Sequence, residues 1–194
     1  MVYKNEILRK LIHLFDSVIP LSLFYLNRES LLFILFPLTI IFCLIDFSRH
    51  HVSIIQKVYF FLFSRVTRNI EKEKNTLTGA SYYLIGCLLT VYFIQDESII
   101  MASLLIMSIS DSFAAIIGIK YGKTKIYNNK SLEGSFSFLI TTLIILNFFI
   151  PSLSIIKLIC IAITVTLVEL FSFHRFNDNL TIPISSALMI QYLI

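Results

Sequence analysis

The sequence predicts an all-α fold, a polytopic membrane bundle of about seven transmembrane helices with its amino terminus in the cytoplasm. Three observations lead to this class. Of the 194 residues, 57% are hydrophobic and only 14% are charged, and the mean hydropathy is +0.84, whereas soluble domains are about one-quarter charged. The apolar residues form blocks long enough to cross a bilayer core about 30 Å thick. The basic residues are concentrated between those blocks.

The apolar blocks are the predicted membrane spans. The sequence shows no linker that would separate two domains. A span needs about 20 apolar residues, and roughly 17 to 25 are tolerated. We therefore treat residues 1–194 as a single membrane-embedded domain. The blocks cover residues 7–26, 31–47, 77–94, 99–119, 135–150, 155–171 and 180–194.

Lysine and arginine residues occupy alternate connections between the spans. Residues 1–10 carry three, 48–76 carry six, 120–134 carry four and 172–179 carry one, which is 14 of the 16 in the chain. Because cytoplasmic loops hold the excess of basic residues, the amino terminus and every second loop are predicted to be cytoplasmic. The net charge of +4 thus reflects orientation in the membrane, and we expect no nucleic-acid partner.

The longest connection, residues 50–76, carries apolar side chains among basic ones. Val52, Ile55, Val58, Tyr59 and Leu62 follow a helical spacing that favours an amphipathic helix on the cytoplasmic surface. A re-entrant or eighth membrane segment through residues 58–63 is the alternative interpretation.

Polar residues inside membrane helices are costly and so indicate a partner or a task. In the first span Glu6, Arg9, Lys10, His13 and Asp16 form one polar stripe at three- and four-residue intervals. Basic side chains that reach back to the interface account for Arg9 and Lys10. They do not account for His13 and Asp16, which lie one to two turns deeper.

The fourth span carries a carboxylate, Asp111, in an otherwise apolar stretch. Small residues share its helix face at helical spacing, so the carboxylate lies on a groove of small residues. They are Ser108, three positions before it, and Ala115, Gly118 and Gly122 after it. Close helix packing explains the small residues. It does not explain the ionisable side chain.

The predicted cytoplasmic loop 120–134 is typical of a polyphosphate site, because lysines attract phosphate oxygens and glycines let backbone donors approach them. Its glycine and lysine spacing does not match a Walker loop. Further acidic residues are predicted to lie on the same membrane face, where they suit Mg²⁺ bound together with substrate phosphates. The candidate phosphate-binding residues are Lys120, Gly122, Lys123, Lys125, Lys130 and Gly134, and the candidate metal ligands are Asp111, Glu133, Glu169, Asp178 and Asn179.

The chain resembles the polyprenol kinases along nearly its whole length, with the motifs in the right order. The resemblance is carried by residues 6–13, 111–122, 130–134 and 178–183, together with Glu169. The polyprenol kinases are integral-membrane, CTP-dependent lipid kinases that include dolichol, phytol and yeast-type diacylglycerol kinases. The resemblance implies transfer of the γ-phosphate of CTP to a long-chain lipid alcohol, with a divalent cation, at the cytoplasmic face of a prokaryotic cell membrane or an organellar membrane.

The same resemblance implies roles for individual residues. Asp111 and Glu133 would lie at the metal or phosphate end of the site, and the loop lysines would contact the triphosphate. Either His13 or Asp178 would accept the proton of the alcohol, and the sequence leaves that choice open.

Two other functions compete with a kinase. Phosphatidate cytidylyltransferases resemble the stretch from Asp111 to Gly134, but residues 130–134 lack their preceding Ser-Pro-Lys, and no Gly-His-Gly-Gly run follows Asp178. A small transporter or scaffold would use intramembrane charges as a conduction path. Here those charges crowd the predicted cytoplasmic half.

Overall fold

The computed structural model describes residues 2–64, 66–67, 76–128, 130–172 and 177–194, with side chains from Asn5 onward. Several basic residues that support the predicted orientation, in 65–75 and in the loop 172–179, lie outside the described residues. The described residues are mostly helical. The helices are α1 Val2–Phe15, α2 Val18–Leu21, α3 Arg28–Ser48, α4 Ser53–Phe63, α5 Gly79–Phe93, α6 Glu97–Leu105, α7 Asp111–Lys120, α8 Leu132–Phe149, α9 Ile155–Phe171 and α10 Asp178–Leu193.

Within the described ranges, three helical stretches are long and apolar enough to cross a membrane: Arg28–Ser48, Glu97–Lys120 and Leu132–Phe149. The other apolar helices are shorter, with 15 residues in α5, 17 in α9 and 16 in α10. The described residues thus support an all-α membrane protein. Seven spans and the orientation of the amino terminus stay predictions.

The stretch Glu97–Lys120 is the central helix of the bundle. Of its 18 most apolar consecutive residues, 78% are buried inside the protein, compared with 22% for Arg28–Ser48 and 28% for Leu132–Phe149. The exposed side chains of those two outer helices are largely aromatic and aliphatic. Their surfaces suit contact with lipid rather than water.

The first predicted span is not one continuous helix. Helix α1 ends at Phe15, and the chain continues through α2 and a 3₁₀ turn, Ser22–Phe24. Pro20 explains the interruption, because its ring lacks an N–H and clashes with the carbonyl four residues earlier, that of Asp16. The Asp16 carbonyl instead accepts the N–H of Ile19 at 3.0 Å.

The predicted loop 120–134 is an ordered hairpin, a small departure from an all-α fold. Strands β1 Lys125–Tyr127 and β2 Lys130–Ser131 pair antiparallel, with Lys125 opposite Ser131. The Ser131 hydroxyl accepts the N–H of Gly134 at 3.2 Å and so caps the start of α8. The hairpin thereby connects the central helix directly to α8.

The connection after α3 contains the predicted helix α4, which has no buried residue and exposes Ile54, Val58 and Phe61. Whether α4 lies on the surface or enters the membrane stays a prediction. Its anchor is a buried ion pair that the sequence analysis missed. Arg49 Nε lies 3.1 Å from Asp46 Oδ1, and its guanidinium lies 4.8 Å from the centre of the Tyr59 ring.

Candidate active site

A buried ion pair joins the first helix to the central helix. The ammonium of Lys10 donates to Asp111 Oδ2, and the two residues are only 4% and 3% exposed. The Ser112 hydroxyl, 3.2 Å from the Lys10 carbonyl, adds a second link. The prediction that Lys10 reaches back to the interface is therefore wrong, because an intramembrane carboxylate on α7 holds its charge.

A π-helical turn, Ile106–Ser110, places Asp111 in the site. Such a turn inserts one extra residue into a helix and rotates everything after it, and it is frequent at functional sites. The hydroxyl of Thr142 donates to Ser110 Oγ at 3.2 Å, and that of Ser112 donates to the Ser108 carbonyl at 2.6 Å. These bonds satisfy polar groups around the turn.

A second ion pair fastens the hairpin to the end of α9. Lys130 Nζ lies 2.6 Å from Glu169 Oε1, donates to the Glu169 carbonyl and lies 3.1 Å from Ser172 Oγ. Glu169 is 4% exposed, and the Lys130 side chain is 25% exposed. Three acceptors thus engage the ammonium of the one loop lysine that points inward.

The two ion pairs belong to one site. Asp111 and Asp178 each act electrostatically on both His13 and Glu169. The site therefore draws together residues from five parts of the chain that lie far apart in sequence. Its members are Lys10 and His13 of α1, Asp111 of α7, Lys130 of the hairpin, Glu169 of α9 and Asp178 of α10.

Two buried polar atoms of the site have no hydrogen-bond partner among the described residues. They are His13 Nδ1 and Glu169 Oε2. A buried donor or acceptor without a partner costs about 1–3 kcal/mol, so native proteins rarely leave one unmet. Asp16 Oδ2 lies 3.5 Å from His13 Nδ1, whereas Glu169 Oε2 is left as the atom that indicates a polar occupant.

Two of the predicted metal ligands make hydrogen bonds that stabilise the fold. Glu133 accepts the backbone N–H groups of Lys123 and Thr124 at 3.0 and 3.2 Å and so closes the base of the hairpin. The Asn179 amide donates to the Gly79 carbonyl at 2.8 Å and ties α10 to α5. Their role as ligands stays a prediction.

The predicted phosphate-binding residues separate into two groups. Lys120, Lys123 and Lys125 are exposed around the hairpin. Gly122 and Gly134 lie where helices α7 and α8 meet. A Cβ at Gly122 would lie 2.2 Å from the Gly118 carbonyl, and one at Gly134 would lie 2.8 Å from the Ala114 carbonyl. Both glycines are thus needed for packing, whatever else they bind.

No three His, Cys, Asp or Glu side chains in the described part of the chain converge closely enough to hold a metal ion by themselves. Magnesium in nucleotide sites commonly takes one or two carboxylates together with substrate phosphates. The free Oε2 of Glu169 fits that arrangement. The residues present are therefore suited to a cation that arrives with a nucleotide.

The fold and site define a class: an α-helical membrane protein with a buried, charged site beside a lysine-bearing hairpin. The chain is 34% identical to an uncharacterized protein of Rickettsia prowazekii, over 93% of this chain and 90% of that protein. It is 28% identical to "CTP-dependent diacylglycerol kinase 1" of Saccharomyces cerevisiae, over 100% of this chain and 75% of the yeast protein. It is 34% identical to "Probable phytol kinase 1, chloroplastic" of Oryza sativa, over 66% of this chain and 45% of the rice protein.

The chain belongs to the polyprenol kinase family, and its relatives support a lipid kinase with a lipid and a nucleotide as partners. No family model and no solved structure matches it. The family motifs include the residues of both buried ion pairs. Sequence reasoning missed Lys10 as a site residue, although its position on the polar stripe with His13 was the available signal.

Proposed function

We propose that this protein transfers the γ-phosphate of CTP to the hydroxyl of a long-chain lipid alcohol at the cytoplasmic face of its membrane. One observation carries the proposal: two lysine–carboxylate pairs, one fully and one partly buried, share a site that leaves the Oε2 atom of Glu169 without a hydrogen-bond partner. Phosphoryl transfer asks a protein mainly for positioning and for stabilisation of charge, which such a site supplies.

The nucleotide binds at the hairpin. Lys120, Lys123 and Lys125 are exposed there and attract the triphosphate as point charges. Lys130 has a different task, because its ammonium is engaged by Glu169 and Ser172. It fastens to Glu169 the hairpin that carries the exposed lysines.

A divalent cation such as Mg²⁺ enters with the nucleotide. Glu169 would hold it through its free Oε2, and Asp111, Glu133, Asp178 and Asn179 remain the other candidate ligands. When bound, the cation neutralises phosphate charge and orients the γ-phosphoryl group.

The chain's own residues position the alcohol and take its proton. As the alcohol oxygen forms a bond to the γ-phosphorus, the bond from that phosphorus to the bridging oxygen breaks and CDP leaves. The hydroxyl proton passes to His13 or Asp178. Lys10 holds the Asp111 carboxylate in place by donating to its Oδ2 atom.

The lipid chain lies along the apolar surface of the bundle, which suits dolichol, other polyprenols or phytol. A prokaryotic cell membrane or an organellar membrane is the proposed location. The family resemblance and the diacylglycerol and phytol kinase names of the relatives support a hydroxyl acceptor on a lipid.

The test is label transfer by purified protein in mixed micelles. We expect γ-labelled CTP, but not α-labelled CTP, to label the lipid when phytol, farnesol, a polyprenol or diacylglycerol is supplied with Mg²⁺. Chelation of the cation should stop the transfer. Incorporation of the α-label would instead identify a cytidylyltransferase, and equal use of ATP would refute the nucleotide preference.

A further inference from the structure

The break in the first helix places an acidic side chain beside His13. Because Pro20 prevents a regular helix through residue 16, the Asp16 carbonyl is released from the usual helical bond. The hydroxyl of Tyr83 donates to that carbonyl at 3.1 Å. A residue of α5 thus holds Asp16 at the end of α1.

His13 is held between these two residues. Its Nδ1 lies 3.5 Å from Asp16 Oδ2, and its ring meets the Tyr83 ring edge-on with 6.0 Å between centroids. The separation to Asp16 is longer than a good hydrogen bond. Catalytic hydrogen bonds are often long before substrate binds and shorten in the complex.

The charged groups around His13 come from every element packed against it. Arg9 and Lys10 lie on its own helix, Asp111 on α7 and Asp178 on α10. Asp111 is engaged by Lys10. Asp16 is the carboxylate within reach of Nδ1, and its side chain is 28% exposed.

We propose that Asp16 is a positioning residue that orients the His13 ring as the acceptor of the lipid alcohol's proton. This inference rests on the proposed kinase function and decides between His13 and Asp178. Nδ1–H donates to the Asp16 carboxylate, which leaves Nε2 with its lone pair toward the site. As the alcohol oxygen bonds to the γ-phosphorus and CDP leaves, the hydroxyl proton moves to Nε2, and Asp16 stabilises the imidazolium. A carboxylate that fixes the histidine tautomer is a general device of this chemistry.

Asp178 is less suited to take the proton. It opens helix α10, and its Oδ1 accepts the N–H of Asn179 at 3.1 Å. One oxygen of its carboxylate is thus already engaged within its own helix. Asp178 is better placed to help hold the cation.

A double-mutant cycle tests the proposal. The variants are Asp16→Asn, His13→Gln and the two combined, assayed by transfer from γ-labelled CTP. We expect Asp16→Asn to lower kcat by about 10- to 100-fold, as loss of an orienting partner does, with the KM for CTP unchanged. In the His13→Gln background the same substitution should change kcat by less than about twofold, since the ring that it orients is gone.

The matched control is Ser17→Ala, which removes a local bond from Ser17 Oγ to the Leu14 carbonyl at the same helix break. We expect that variant to keep wild-type kcat. If Asp16→Asn does not fold, Asp16→Glu makes the same comparison, because it keeps the charge and displaces it by one methylene.

The outcomes separate this proposal from the proposed function. A wild-type protein that transfers no γ-label refutes the kinase function itself. An active wild-type protein whose Asp16 substitution costs the same factor with and without His13, or whose His13→Gln variant keeps full turnover, overturns the positioning role alone.

Discussion

A lysine and an aspartate buried together stabilise each other only while both carry their charge. Lys10 and Asp111 are such a pair, and each is almost completely withdrawn from solvent. Removing one partner of a buried pair typically costs about 3–5 kcal/mol, because the other charge is left without compensation. Substitutions here therefore affect stability as well as chemistry, and an experiment must separate the two.

Asp111→Asn should abolish detectable lipid phosphorylation and also lower the thermal midpoint of the purified protein. The amide keeps the shape of the side chain but leaves the Lys10 ammonium buried beside a neutral group. Loss of one well-placed electrostatic group costs about a hundredfold or more in rate. Label transfer and thermal unfolding in the same detergent measure the two effects.

The double variant Lys10→Met with Asp111→Leu is the control. Replacing a buried pair with apolar residues of similar volume is often neutral or stabilising. We expect the thermal midpoint to return to the wild-type value while activity stays lost. Recovery of activity would show that the pair serves packing alone.

At the scale of elements, the hairpin and the central helix meet through glycine. A Cβ at Gly122 would lie 2.2 Å from a backbone carbonyl, whereas one at Gly118 would lie 3.0 Å from the movable Ser131 hydroxyl. Backbone cannot shift as readily as a side chain. The two glycines should therefore respond differently to the same added methyl group.

Gly122→Ala should destabilise the protein by about 1–3 kcal/mol, the usual cost of overpacking, and Gly118→Ala by less. Equilibrium unfolding of the two variants in one detergent provides the comparison. Equal stability of both variants would contradict the close packing of α7 against the hairpin.

The buried ion pair of Asp46 and Arg49, outside the site, is predicted to be purely structural. Asp46 Oδ2 accepts the hydroxyls of Thr78 and Ser81 at 2.8 and 2.6 Å and the N–H of Thr78 at 2.7 Å, so the carboxylate joins α3 to α5. Arg49 pairs with the same carboxylate. All of these contacts are internal to the bundle.

Asp46→Ala should lower the free energy of unfolding by about 3–5 kcal/mol, because it leaves the buried Arg49 charge without its carboxylate partner. Activity per folded molecule should remain near wild type. Asp96→Ala is the comparison, since Asp96 only caps α6 through the N–H groups of Ser98 and Ile99 and should cost about 1 kcal/mol. A selective loss of turnover in Asp46→Ala would place this cluster in the mechanism.

For the whole molecule, the proposed mechanism requires the hairpin to face the cytoplasm. The helix Glu97–Lys120 has 24 residues, so at about 1.5 Å per residue its ends lie about 36 Å apart. That length exceeds the hydrocarbon core of a bilayer, about 30 Å, so the hairpin and the connection that precedes α6 are predicted to lie on opposite sides.

A cysteine at Ile126 should react with an impermeant thiol reagent only from the cytoplasmic side, and one at Gln95 only from the opposite side. Both positions are exposed, so the reagent has access to them. Labelling of the two from the same face would remove the one-sided site. The background replaces the native cysteines Cys43, Cys87 and Cys160 with alanine.

Much of this architecture could be predicted because its causes are local. Runs of apolar residues identify membrane helices from composition alone, and most of the predicted blocks coincide with a helix within a few residues. The break after Phe15 also has a local cause, Pro20, although the sequence analysis did not use it. The π-helical turn before Asp111 has no such signal, and its contacts include Thr142, which another helix brings against it.

The sequence by itself determined the class of this protein, its apolar helices and the acidic and basic residues that carry its chemistry. Composition and spacing are properties of neighbouring residues, and a buried charge is conspicuous wherever it occurs. Only the tertiary structure decided the partners. That Lys10 meets Asp111 across 101 positions, and Lys130 meets Glu169 across 39, follows from how the helices pack. A charge in an apolar interior is stable only beside its opposite, and the fold alone brings the two together.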